Sequence, residues 1–142
     1  SPPGLPVDVK VYAVPTDATK LKVTWKPVTD NYGGPVLYYS IEYVDADAGW
    51  SSGYTTVNIT DVSNPEAESY TAYVTGLTAG KYYKLQVRAT NDQGAGGPSW
   101  FASVLLPSGA SGDYDVKRGA EHAVPVCEPA MEGCVENSTD TI

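Results

Sequence analysis

The sequence predicts an all-β protein, a seven-stranded antiparallel β-sandwich with an irregular C-terminal tail. The clearest sign is the segment 77–91, which opens with a glycine-containing turn and then alternates apolar and polar side chains. This period of two is typical of a strand with one buried face. Six other short segments rich in β-branched and aromatic residues are set apart by turn-forming residues, and seven strands suit a two-sheet sandwich.

The first two strands are expected over residues 7–14 and 20–26. The second has the cleanest alternation, because Leu21, Val23 and Trp25 fall on one face and lysines and a threonine on the other. The apolar face is expected to turn inward. The remaining strands are expected at 37–46, 54–59, 70–75, 82–91 and 100–106, with a glycine-rich loop over 91–98.

Tyr83 begins a strand directly after the turn at 77–80, which is where sandwich domains place a tyrosine corner. In this arrangement the ring packs inward and the hydroxyl group bonds the backbone a few residues upstream. The expected core residues lie on the inward faces of the central strands: Trp25, Tyr39, Leu77, Tyr83, Leu85 and Val87.

Residues 77–94 read L-x-x-G-x-x-Y-x-L-x-V-x-A-x-N-x-x-G, which resembles the fibronectin type III family at its E–F turn and F strand. Trp25 followed by Pro27, and the G-G-P-V segment at 33–36, stand where that family has them. The resemblance covers residues 2–107. It implies an immunoglobulin-like sandwich with fibronectin type III topology and a role in binding or scaffolding. Immunoglobulin domains match less well, because their core has two cysteines and this sandwich region has none.

Three parts of the chain are expected: a proline-rich linker at 1–6, the sandwich at 7–107 and an acidic extended tail at 108–142. Residues 1–108 have seven basic and ten acidic side chains, net −3, and the rest have two and seven, net −5, which together give the −8 of the whole chain. An acidic chain without an evident basic patch argues against nucleic acid and anionic membranes as partners. No apolar run is long enough to span a bilayer. The tail lacks a core of its own, so its order is expected to depend on docking.

Cys127 and Cys134 are the two cysteines of the chain. We expect them to form a disulfide that closes a small loop in the tail, which implies an oxidising compartment. Two free thiols, or bonds to other chains, remain as alternatives. A zinc site is not expected, because no further cysteine or clustered histidine completes a set of four ligands.

Two N-glycosylation sequons begin at Asn58 and Asn137. Each has the N-x-S/T pattern that the transferase recognises. Asn58 lies at a strand end and Asn137 in the tail, so both are expected to be accessible. In a secreted eukaryotic protein they are expected to be glycosylation sites; a chance match is the alternative.

A possible binding face is expected on the outward side of the strands over 37–46 and 82–91. Its members are Tyr38, Glu42 and Arg88, with Tyr54 nearby. Tyr and Arg on a rigid surface are frequent recognition anchors. The alternative is ordinary cross-strand pairing of Glu42 with Arg88 or Lys84. No catalytic nucleophile, general base or metal cluster can be assembled from the sequence, so we expect no enzymatic activity, no metal and no cofactor.

The sequence favours a non-enzymatic extracellular structural or interaction module of a larger surface or matrix protein, whose tail docks on a neighbour for assembly. One alternative is a receptor or adhesion module that binds a ligand through its loops or sheet face. Another is an accessory module of a secreted polysaccharide-degrading enzyme, in which Trp50 or Trp100 stacks on sugar. The expected partners are proteins, either neighbouring domains or copies of the same chain, with glycans as a second class of partner. Nucleic acid and membrane insertion are not expected.

Overall fold

The strands follow the alternation of the sequence. The computed structural model describes residues 2–14, 17–29, 33–62 and 67–99, and the backbone of residues 102–105 and 114–115. The strands in these ranges are β1 (Val7–Ala13), β2 (Leu21–Lys26), β3 (Tyr38–Asp45), β4 (Thr55–Ile59), β5 (Tyr70–Val74), β6 (Tyr82–Asn91), β7 (Gly94–Pro98), β8 (Ala102–Leu105) and β9 (Tyr114–Asp115). The same ranges contain a single helical turn, the 3-10 segment Trp50–Ser52, and so no helix there is long and apolar enough to cross a membrane.

The strands form two antiparallel sheets, and the predicted all-β sandwich is confirmed. The four-stranded sheet has the order β5-β2-β1-β9. The five-stranded sheet has the order β4-β3-β6-β7, with β8 also pairing with β6. Strands β7 and β8 pair with successive stretches of β6, since Arg88 lies opposite Pro98 and Leu85 opposite Ala102.

The expectation of a glycine-rich loop over 91–98 is wrong for residues 94–98, because these residues form β7. Asn91 pairs with Gly94 across a two-residue turn. The turn is possible because Gly94 has φ 123°, a backbone conformation that side chains disfavour. The Asn91 side chain closes it by accepting a hydrogen bond from the backbone N–H of Gln93 at 2.8 Å. A tight hairpin therefore extends the sheet where composition alone indicates a loop.

The core lies between the two sheets and is built around three aromatic rings. Trp25 of β2, Tyr39 of β3 and Tyr70 of β5 have ring centroids 5.2 to 6.2 Å apart. The Tyr39 hydroxyl accepts a hydrogen bond from the backbone N–H of Val28 at 2.8 Å, and burial raises the pKa of Tyr39. Apolar side chains from both sheets complete the core: Val9, Val11, Leu21, Val23, Ile41, Val74, Leu77, Tyr83, Leu85, Val87 and Ala89.

Tyr83 anchors the turn that precedes β6. Its hydroxyl accepts a hydrogen bond from the backbone N–H of Thr78 at 2.9 Å, five residues upstream, which is the geometry of a tyrosine corner. Gly80 adopts φ 82° in this turn, and the N–H of Leu77 donates to the carbonyl of Thr19 at 2.9 Å. The turn is therefore tied both to β6 and to the segment before β2.

The proline-rich start of the chain packs on the sandwich. Pro3 and Pro6 are both buried, and the backbone of Pro3 passes directly over Gly96 of β7. A methyl group added to Gly96 would lie 2.0 Å from the Pro3 carbonyl oxygen. The close approach requires glycine at this position.

We predict that Gly96→Ala destabilises the protein by about 1–3 kcal/mol, because the added methyl group forces the Pro3 backbone away from β7. Urea unfolding measures this change. Gly97→Ala is the matched control, since nothing lies within 4 Å of its added methyl group, and its free energy of unfolding should stay within about 0.5 kcal/mol of the parent. Equal effects of the two changes would contradict the described packing of Pro3.

Candidate functional site

The outward side of the β3–β6 pair holds three of the four predicted binding-face residues. The register places Tyr38 opposite Thr90, Ser40 opposite Arg88, and Glu42 opposite Gln86. Tyr38 is half-buried, and the Arg88 side chain is 25% exposed. Glu42 is only 5% exposed, so the expectation that it is available at the surface is wrong.

Glu42 is the centre of a cross-strand hydrogen-bond network. Its Oε1 accepts from Gln86 Nε2 at 2.7 Å and from Arg88 Nη2 at 3.2 Å, and its Oε2 accepts from Arg88 Nε at 3.0 Å. Arg88 Nη1 donates to the carbonyl of Gly96 at 2.7 Å. The planar guanidinium group thus meets the carboxylate in a bidentate fashion and also links β6 to β7. This is the cross-strand pairing that the sequence left as an alternative to ligand binding.

Tyr54 lies at the other end of β3 from Tyr38. It precedes β4, whose first residue Thr55 pairs with Tyr43. Tyr43 is five positions along β3 from Tyr38, which is about 16 Å at the usual rise of a strand. The four predicted residues therefore do not form one compact site.

The surroundings of Tyr54 form a small corner at the end of the five-stranded sheet. Tyr54 is 48% exposed, and its ring meets that of Trp50 edge-on at 5.8 Å. A surface pocket of about 350 Å³ lies here, lined by Tyr43, Val44, Asp45, Gly53, Tyr54, Thr55 and Tyr83. The hydrogen bond from Lys81 lowers the pKa of the Asp45 carboxyl, and the same contact raises the pKa of Lys81.

The remaining predicted site residues fall into two groups. Asn58 is exposed on β4, and its Oδ1 accepts a hydrogen bond from Ser40 Oγ at 2.8 Å. Cys127, Cys134, Asn137 and Trp100 lie outside the described residues. Within the described ranges, no group of three or more His, Cys, Asp or Glu side chains is arranged to hold a metal ion.

Sequence reasoning missed the lysine face, which we define as the outward side of β1 and β2 bearing Lys10, Lys22 and Lys26. The register brings Lys22 opposite Tyr12, and Lys10 opposite Thr24. The Lys22 Nζ lies 5.9 Å from the centre of the Tyr12 ring, a cation–π distance. The signal in the sequence was the alternation of lysines in the second strand, but only the pairing with β1 adds Lys10 to them.

A shallow groove of about 280 Å³ runs along the lysine face. Two acidic residues, Asp8 and Glu68, also line this groove. Lys26 Nζ lies 3.7 Å from a carboxylate oxygen of Asp8, and the Lys26 side chain is 60% exposed. The lysine face thus has three cations and two anions, in a chain whose net charge is −8.

The described part of the chain is a β-sandwich in which polar side chains on the two outer faces pair with one another. The fibronectin type III domain family matches residues 1–104, and the chain belongs to that family. Among relatives, mouse Contactin-6 is 28% identical over 142 residues, covering 96% of this chain and 13% of the relative. Human Contactin-3 is 33% identical over 129 residues, covering 90% of this chain and 10% of the relative.

Solved structures agree with this assignment. The FN5 domain of Drosophila Lar superposes with a TM-score of 0.55 at 28% identity, covering 75% of this chain and 99% of that domain. Domains A168–A170 of titin superpose with a TM-score of 0.57 at 22% identity, covering 75% of this chain and 32% of that structure. The titin likeness bears on the fold alone. Because the chain spans about a tenth of the two contactins, it corresponds to one module of such proteins.

We predict that Glu42→Leu and Arg88→Leu each destabilise the protein by roughly 2–4 kcal/mol, because each leaves the partner charge without its counterpart in a largely buried setting. The double variant should lose much less than the sum of the two. Urea unfolding of the four proteins gives the coupling energy. Strict additivity would contradict the network.

Asp45→Leu and Lys81→Leu provide the matched control cycle. These residues also form an ion pair, between β3 and the residue before β6, but its carboxylate side chain is 29% exposed, against 7% for Glu42. Water and salt screen such a pair. Their coupling energy is therefore expected to be much smaller than that of Glu42 and Arg88.

Proposed function

We propose that this chain is a non-enzymatic protein-interaction module of a larger extracellular or cell-surface protein. The observation that carries the proposal is a complete type III sandwich that corresponds to about a tenth of its contactin relatives. Such a unit is one rigid domain of a longer chain, and neighbouring proteins can bind to its faces and edges. The bidentate pairing of Glu42 with Arg88 supports this role, because it stiffens the sheet and leaves that carboxylate engaged.

The extracellular setting is supported by the position of Asn58. The residue is exposed on β4, at the edge of the five-stranded sheet. Thr60, which completes its sequon, is exposed as well. A glycan at this position would stand next to an edge strand and hinder its pairing with another sheet, a recognised need of exposed edges.

We predict that the chain carries an N-glycan at Asn58 when it is secreted from eukaryotic cells. Intact mass before and after enzymatic removal of N-glycans measures occupancy. Thr60→Ala removes the sequon but keeps the Ser40–Asn58 hydrogen bond, so one glycan should be lost without a change in fold. Thr56→Ala, on the same strand, is the control that keeps the glycan. An unchanged glycan mass in Thr60→Ala would refute occupancy at Asn58.

The second part of the proposal is that the tail docks on a neighbour, either an adjoining domain or another copy. The support is the pairing of β9 with β1, since this edge of the sandwich accepts an added strand from the tail. Strand addition to a sheet edge is a common way to recruit an extended segment. A segment that pairs with its own edge can also pair with the same edge of another copy as the concentration rises.

We predict that the full chain associates with increasing concentration under oxidising conditions, whereas a chain ending at residue 108 stays monomeric. Light scattering of both chains over the same concentration series measures their masses. The shorter chain retains the whole stretch that matches the family, so circular dichroism should show a folded sandwich that lacks only the two-residue β9. Association of both chains, or of neither, would contradict docking of the tail on another copy.

A further inference from the structure

In the part of the tail that the structure describes, β9 contacts the sandwich. Strand β9 pairs antiparallel with β1, with Tyr114 opposite Val11 and Asp115 opposite Lys10. Lys10 belongs to the lysine face, so this pairing joins the acidic part of the chain to the edge of that face. Opposite charges at facing positions stabilise an antiparallel pair.

The direction of β9 is set by its antiparallel pairing with β1. β9 is antiparallel to β1, so its C-terminal end points toward the Val7 end of β1. That end pairs with Lys26 of β2. A segment that continues in this direction passes from Lys10 toward Lys26, beside the groove of about 280 Å³.

The charge of the tail complements this surface. Beyond Arg118 the chain has no further lysine or arginine, and its five acidic residues are Glu121, Glu128, Glu132, Glu136 and Asp140. The lysine face supplies three ammonium groups on two rigid strands, and the Tyr12 ring beneath Lys22 holds one of them in place. Asp8 and Glu68 lie in the same groove, so the complementarity depends on a net charge of one, since three lysines face two carboxylates; Lys26 is exposed, and Lys10 and Lys22 are half-buried.

We propose that the lysine face is the docking surface for the acidic segment 119–140 of the same chain, which β9 delivers to it along the β1 edge. In a single copy, segment 119–140 binds beside the β1 edge of its own sandwich. Association between copies then requires the segment to leave this surface. The inference starts from the same β9–β1 pairing as the proposed assembly, but it places the segment on its own module.

Zero-length carbodiimide crosslinking of the full chain tests this inference, because it joins only a carboxylate and an amine that are in contact. The reaction is run on an equal mixture of unlabelled and nitrogen-15-labelled chains, and the monomer and dimer bands are both analysed by mass spectrometry. We expect carboxylates of 119–140 to be joined to Lys10, Lys22 or Lys26, always within one isotope form. Lys81 and Lys84, which lie outside this face, are internal controls and should be joined rarely. Added salt should reduce the yield, because exposed charges are screened.

A charge-reversed variant tests the role of the face as a whole. In Lys10→Glu/Lys22→Glu, the crosslinks that remain at Lys26 should fall by about fivefold, since two favourable facing charges become unfavourable ones. Lys84→Glu makes the same kind of change on the other sheet and should leave the Lys26 crosslinks unchanged. Circular dichroism confirms that each variant is folded.

The outcomes separate this inference from the proposed assembly. Absence of links between 119–140 and the lysine face, or links spread evenly over all lysines, would overturn it. Links only between isotope forms would also overturn it, because the occupant would then be the segment of a second copy. Light scattering decides association between copies independently, so a monomeric chain with links to the lysine face refutes the assembly and retains the docking surface.

Discussion

The pairing of β3 with β6 is the constraint on which the rest of the structure depends. Eight consecutive residue pairs join the two strands, from Tyr38–Thr90 to Asp45–Tyr83. One side of this ladder supplies a large part of the core, and the other side carries the bidentate contact of Glu42 with Arg88. Tyr83 lies opposite Asp45 at one end of the ladder, and its hydroxyl group accepts a hydrogen bond from the turn that precedes β6. Core, outer network and turn therefore share one frame.

The two outward faces of the sandwich differ because their polar residues have different partners. On the five-stranded sheet, Glu42 is enclosed by hydrogen bonds from neighbouring strands, and its burial leaves little to offer a ligand. On the four-stranded sheet, the lysines stand on two strands with an open groove beside them. The first face contributes rigidity, whereas the second has the charge that an acidic segment can recognise.

The sequence was sufficient for seven of the nine described strands and for the core, because burial on one face imposes a period of two on a strand. It placed Trp25, Tyr39 and Tyr83 on inward faces, and all three are buried. It could not show the burial of Glu42, since alternation tells which side a residue faces but not which side chains cover it. The β7 hairpin was missed because its glycines signal a loop when the φ of Gly94 is unknown. The lysine face was missed because Lys10 and Lys22 meet only through the register of β1 and β2.

Amide hydrogen exchange of the full chain, followed by NMR, tests the central role of the β3–β6 frame most directly. If the frame holds the sandwich together, the hydrogen-bonded amides of these two strands exchange only through global unfolding, and those of the edge strands β4 and β9 exchange through smaller openings. Urea unfolding gives the global free energy for comparison. Exchange of the β3 and β6 amides at a free energy well below the global value, with the β1 and β2 amides still protected, would contradict the central role of the β3–β6 pair.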